Sequence, residues 1–279
     1  MNAALQTLIE IAKTPAQTWA AEQLSIGEDL LKRGLQKDAL VHIDQAINGY
    51  GDHPGYRYWP LPHFLRGLIL VGAEQGRQRM SPDLDAAAEA FQNAAIYADD
   101  DTSAQEQRMR LDALCAAGWC AYAEGHMDMA LERLTQARKA FPQSAKAIFL
   151  EAKVHFNQAR EHAGLKAYGQ AIRIDPRYIF IAARDADFQK FRRSVADISD
   201  QARQALEGAV GRLADLVAPF VPDTPNSLKI ELKVPLKASD LQVSKKPVSR
   251  LFKTRDQIVS LVPEIEAEIF EKDHQVYVE

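Results

Sequence analysis

Cysteine is nearly absent from this chain, which holds two, Cys115 and Cys120, in 279 residues. They stand five apart in a stretch that reads as helix, so their side chains point in different directions and do not bridge easily. That spacing describes two reduced thiols packed in or near a core, in a reducing compartment. A redox pair is the sharper alternative. Glycine (14) and proline (13) are scarce enough that long disordered tracts are not expected. No run approaches about 18 uninterrupted apolar residues, so no membrane span is expected. Residues 1–15 lack the basic start and long apolar core of a signal peptide. Both absences point to the cytoplasm. The net charge of -4 carries no strong bias toward nucleic acid or membrane. A glycine-rich phosphate loop, GxSxG, HExxH and CxxC are all missing, so neither an enzyme nor a cofactor is expected.

What the sequence does contain is an internal repeat. Gly118 aligns with Ala152, Ala130 with Gly164, Leu134 with Tyr168, Ala137 with Ala171 and Pro142 with Pro176, each pair at a 34-residue interval. The pattern is small, small, large, small, proline. Two antiparallel helices pack closely where small residues sit at the crossing and large apolar residues fill the flanks. A proline at the end of the second helix stops it before the next repeat begins. Residues 20–53 keep the same spacing through Gly27, Ala39, Ile43 and Ala46, with a late proline at Pro54. Residues 60–101 open on Gly67 and continue with Ala87, Phe91 and Ala94. Eight additional residues there imply extra helix turns or a longer loop near Gly76–Met80.

This register resembles the tetratricopeptide repeat (TPR), a helix-turn-helix unit with Gly or Ala in helix A and Ala, a large residue, Ala and Pro along helix B. The resemblance covers roughly residues 15–178. It implies an all-α fold, an α-solenoid of about four repeats with the second expanded, over residues 1–178. Helix starts agree with the register. Thr14 and Ser103 open capping boxes, while Ser81-Pro82 and Ser144 precede the helices they would cap.

Beyond Pro176, residues 179–220 read as an atypical helix A followed by a long capping helix. Asp187 would cap that helix, with Phe188, Phe191, Val195, Ile198, Ala202, Leu206, Val210, Leu213 and Val217 along one face. A coiled-coil contact, and with it a homo-oligomer through this helix or the tail, is a further reading. Residues 221–279 change character. Pro219, Pro222 and Pro225 break the helix. Leu228, Ile230, Leu232, Val234 and Leu236 then alternate with charged residues or proline as a half-buried strand would. Thr254 would cap a helix to about Phe270, and residues 275–279 alternate again. The expectation is a small strand–helix–strand tail, with Leu228, Ile230, Leu232 and Val234 as an interaction edge.

Candidate sites follow. His155 and His162 share a helical face only if one helix spans both, and the register breaks the helix between them, so a packed histidine is preferred to a metal ligand. Asp99-Asp100-Asp101 read as a solvated loop before the Ser103 cap, with a cation site as the alternative, and no metal is assigned. The family resemblance assigns the groove-lining positions of helix A. These include Phe64 and Leu68 with Val71 in the second repeat, and Asp112, Cys115, Trp119, Tyr122 and Ala123 in the third. The fourth contributes Lys146, Phe149, Lys153, Phe156 and Asn157. Rings of this kind form binding hot spots, and the lysines could pair with partner carboxylates. The same rings could instead pack against the neighbouring helix A, and the polar residues could simply face solvent. The function expected is a non-catalytic scaffold or adaptor that binds another protein or peptide through the groove, the tail, or both. Residues 227–255 hold eight basic residues against two acidic ones. The alternative is therefore binding of nucleic acid or an anionic membrane surface through the basic stretch 229–255.

Overall fold

The computed structural model describes residues 15–49, 55–72, 81–98, 103–218 and 253–259. Every regular element among them is a helix. By internal contacts the chain divides into two compact parts, residues 1–164 and 165–279.

The first part is built of helical hairpins. Helices α1 (Pro15–Lys32) and α2 (Gln36–Asn48) form one pair, α3 (Pro60–Val71) and α4 (Leu84–Tyr97) the second, and α5 (Ala104–Ala123) and α6 (Met127–Ala140) the third. Helix α7 (Ala145–Asn157) follows, and α8 (Glu161–Ile174) spans the boundary between the two parts. From α1 to α7, each helix packs on the next. Alternate helices also touch, α3 on α5 and α5 on α7. The core is therefore a ladder. Leu31, Ala39, Ile43 and Ile69 join α1, α2 and α3; Leu70, Phe91, Ala94, Ala113 and Ala117 join α3, α4 and α5; Ala121, Ala130, Leu134 and Val154 join α5, α6 and α7. No hairpin buries its apolar face alone, which is the packing logic of a helical repeat protein.

Two devices recur at fixed repeat positions. The first is a missing side chain at the helix crossing. A Cβ on Gly27 would lie 2.8 Å from Cδ1 of Ile43, and one on Gly67 2.7 Å from Cε1 of Phe91. The second is the turn between the helices of a pair. Gly34, Gly125 and Ala159 all have left-handed backbone, at φ 75°, 84° and 57°. In each case the following amide donates to a carbonyl five residues back: Leu35 to Leu30, His126 to Ala121 and Arg160 to His155. This is the Schellman closure that satisfies the last carbonyls of a helix. In the expanded second repeat, Gly72 ends α3 in the same left-handed region at φ 70°. The insertion falls in the connection that follows.

Local caps divide between expectation and correction. Ser103 accepts from the Glu106 amide at 3.4 Å, and Ser144 from Ala147 at 3.2 Å. Helix α4, however, is capped by Asp83, which accepts from Ala86 at 3.0 Å, and not by Ser81.

In the second part, α9 (Tyr178–Ala182) and α10 (Ala186–Gln189) are single turns, and α11 (Arg192–Val217) is long. Asp185, not Asp187, supplies the capping carboxylate by accepting from the Asp187 amide. Asp187 itself is buried and accepts from Lys190 at 3.3 Å. The long stretch thus starts with a separate turn, and α11 begins after Phe191. Tyr168 Oη and Ser199 Oγ lie 2.6 Å apart, and the Tyr168 ring meets Phe188 edge-on at 5.4 Å. These contacts tie α8 to α10 and α11. Val195, Val210 and Val217 on the expected apolar face are buried.

The strand–helix–strand tail is corrected. Among the described residues there is no strand, and the described part of the tail, residues 253–259, is helical. The helix includes Thr254, which is buried within it rather than standing before it as a cap. Leu228, Ile230, Leu232, Val234 and residues 275–279 lie outside the described residues. Alternation alone does not make a strand. The backbone needs a ladder partner, and the described fold offers no sheet edge.

Candidate functional site

The predicted groove residues lie on α3, α5 and α7, the first helices of successive repeats, and they fall into two groups. Phe149 and Phe156 are buried. Phe64 is half-buried, with its ring edge-on to Phe91 at 5.6 Å, and Leu68 packs on the same cluster. These four are chiefly packing residues. Cys115 is also buried, with its thiol pushed up to about 12 by burial, and Cys120 to about 11 by the same cause.

The second group reaches solvent. Trp119 on α5 is 38 % exposed. Three residues further along the same helix, the half-buried Tyr122 ring carries Nζ of Lys153, from α7, 5.1 Å from its centroid. This is a cation–π contact between adjacent helices. Asp112 and Lys146 occupy one repeat position 34 residues apart, and Lys146 Nζ donates to Asp112 Oδ1 at 2.6 Å. Both are substantially exposed, so the pair contributes about 1 kcal/mol at most. Asn157 is half-buried. The surface that remains is a tryptophan beside a tyrosine–lysine pair, with the Asp112–Lys146 pair on the same two helices.

Behind it, Glu151 is buried and held by Arg138 Nη1 at 2.9 Å and Thr135 Oγ1 at 3.3 Å. Burial raises its carboxyl, while Arg138 and the Thr135 hydroxyl act in the opposite sense. It serves the packing of α6 on α7. His155 is half-buried at the end of α7, and α8 starts only at Glu161, so His155 and His162 lie on different helices. No cluster of three potential metal ligands occurs among the described residues. Asp99, Asp100 and Asp101 lie outside them. So does the basic stretch except residues 253–255, where Arg255 donates to Asp256 at 2.7 Å.

One region escaped the sequence reading. The run Tyr56-Arg57-Tyr58-Trp59 leads into α3. Tyr56 stacks on Trp59 at 4.3 Å, and Tyr58 meets Tyr97 edge-on at 5.5 Å. Tyr58 and Trp59 remain 62 % and 51 % exposed. Three aromatics in four residues were the signal, but they fall outside the repeat's conserved-spacing positions.

No protein-family model matches the chain, and no curated protein matches it at a significant level. Among the described residues no helix is long and apolar enough to cross a membrane.

Proposed function

We propose that this protein is a non-catalytic adaptor of the tetratricopeptide type, working in the reducing cytoplasm without a cofactor. It holds a partner protein against the helix A surface of its third and fourth repeats. The observation that carries this reading is the exposed Trp119 beside the Tyr122–Lys153 pair, on two adjacent helices of the repeat ladder. A rigid aromatic with a cation at its side is the composition of an interface hot spot. The tetratricopeptide assignment is supported by the 34-residue interval and by the glycine-to-large-residue contacts at its crossing positions.

The test is affinity capture with the full chain, Trp119→Ala and Lys153→Glu, after thermal melts establish that the variants fold. A partner held by the wild type and lost by both variants supports the reading. Partners held equally by all three chains would remove this surface from consideration. Turnover of a substrate abolished by a change at Trp119 would replace the adaptor with an enzyme.

A further inference from the structure

A cleft of about 310 Å³ opens between α2, α3 and α4, away from Trp119 and its neighbours in sequence. Its polar lining is Asp44 and Asn48 from α2, His63 and Arg66 from α3, and Glu89 and Asn93 from α4. The cation in this lining is paired with one of its two carboxylates. Arg66 Nε donates to Asp44 Oδ1 at 2.8 Å, and its Nη1 reaches the Ala86 carbonyl at 3.5 Å. His63 donates Nε2–H to the Arg57 carbonyl at 2.8 Å, which leaves Nδ1 of the neutral ring as an acceptor. What the lining offers a cationic visitor is the second oxygen of Asp44, the exposed Glu89 carboxylate and an imidazole nitrogen, with the Asn48 and Asn93 carboxamides able to accept as well as donate. That set matches a ligand rich in N–H donors.

A chain of ring contacts leads from the cleft's His63 to exposed aromatics. The His63 ring lies 5.2 Å from Tyr97, which in turn meets Tyr58. The carbonyl that holds His63 belongs to the residue just before Tyr58, and Trp59 follows. We propose that this cleft receives an arginine or lysine side chain from an extended partner segment whose apolar residues rest on Tyr58 and Trp59. An exposed aromatic pair gives such a segment area at little entropic cost. The acceptor-lined cleft beside it fixes which side chain enters. The site is independent of the α5–α7 surface, so the two readings stand or fall separately.

The experiment is an amide and indole NMR titration of the full chain with two probes, acetyl-Pro-Leu-Arg-Leu-Pro-amide and the same peptide carrying glutamate for arginine. The arginine peptide is expected to shift the Trp59 indole N–H and the Asn93 side-chain amide, and the glutamate peptide to leave both in place. Glu89→Gln, a change at an exposed position, should weaken the arginine peptide about fivefold, as loss of one partly screened charge contact does. Equal binding of both peptides would overturn the proposal, because it would reduce the site to its exposed aromatics. An arginine peptide indifferent to Glu89→Gln, or one that shifts Trp119 and leaves Trp59 unmoved, would overturn it as well.

Discussion

Gly118 and Leu134 meet where α5 crosses α6, with no room between them for a methyl group: a Cβ on Gly118 would lie 2.7 Å from Cγ of Leu134. They stand 16 residues apart, as do Gly27 and Ile43 in the first repeat, and the contact is of the same kind. The expanded second repeat keeps it between Gly67 and Phe91. The closeness of these three hairpins is thus set by one absent side chain facing one large one.

Gly118→Val forces Leu134 out of its place and should cost about 2–3 kcal/mol by overpacking. Leu134→Ala should cost about 2–5 kcal/mol through the cavity it leaves. The double variant is expected to be clearly more stable than the sum of these losses implies, since the valine then fills vacated space. Urea denaturation of the four chains measures the coupling. Strict additivity would mean that the two residues do not share this space.

The left-handed turns give a paired prediction. A Cβ on Gly125 would meet nothing within 4 Å, so Gly125→Ala tests backbone conformation alone. It should destabilise by about 1 kcal/mol. Ala159 already bears that strain at φ 57°. Ala159→Gly should therefore stabilise, by roughly 0.5 kcal/mol once the added freedom of the unfolded chain is subtracted. Thermal melts that moved the same way for both changes would contradict equivalent turns.

Trp119 and Phe149 share a role in the groove pattern but differ in burial, 38 % exposed against 4 %. Phe149→Ala should cost roughly 3–5 kcal/mol. Trp119→Ala should cost about 1 kcal/mol or less. Comparable losses in chemical denaturation would place both rings in the core and leave the binding surface without its central residue.

Acid should weaken the fold through two histidines. Burial holds the imidazole of His63 below the ordinary range, with Arg66 acting the same way against the Arg57 carbonyl and Glu89. Burial also lowers His155, helped by Arg160 and Arg138. The unfolded chain takes up these protons near the ordinary value of about 6.5, and the folded chain only at lower pH. Stability is therefore fully present above about pH 6.5 and is lost as pH falls toward the folded values. A chain with His63→Gln and His155→Gln should lose less stability between pH 7.5 and pH 6, roughly the window around that value. Identical pH profiles would show that neither imidazole is held neutral by its surroundings.

The thiols should be inert. With Cys115 and Cys120 buried and pushed up to about 12 and about 11, almost no thiolate is present at mild pH. An aromatic disulfide reagent at pH 8, roughly the ordinary free-thiol pKa, should register none in the native protein and both after denaturation. Rapid labelling of either in the folded state would point to an opening of α5.

The sequence by itself determined the period and, in the first three hairpins, the helix pairs and their crossing contacts. These depend on steric size at positions repeated every 34 residues, and such a pattern is local enough to be read along the chain. Ser103 and Ser144 were legible for the same reason, since a cap acts within one turn. Tertiary structure decided what periodicity cannot carry. Phe149 and Trp119 both belong to the groove-lining set of helix A, yet one is covered and the other is not, because coverage depends on side chains from neighbouring helices. Lys146 reads from sequence as a solvent-facing lysine or one for a partner carboxylate, whereas the helix-to-helix stacking brings Asp112, one repeat earlier, to 2.6 Å. Asp83 and Asp185 took capping roles that Ser81 and Asp187 appeared suited to, because the chain's entry angle selects which oxygen faces the free amides. The tail shows no strand among its described residues, and alternation could not decide the matter, because a strand is a property of two paired segments and a sequence pattern describes only one of them. The cleft at His63 is not legible in the sequence for a related reason: its residues come from three separate helices and converge only when α2, α3 and α4 pack.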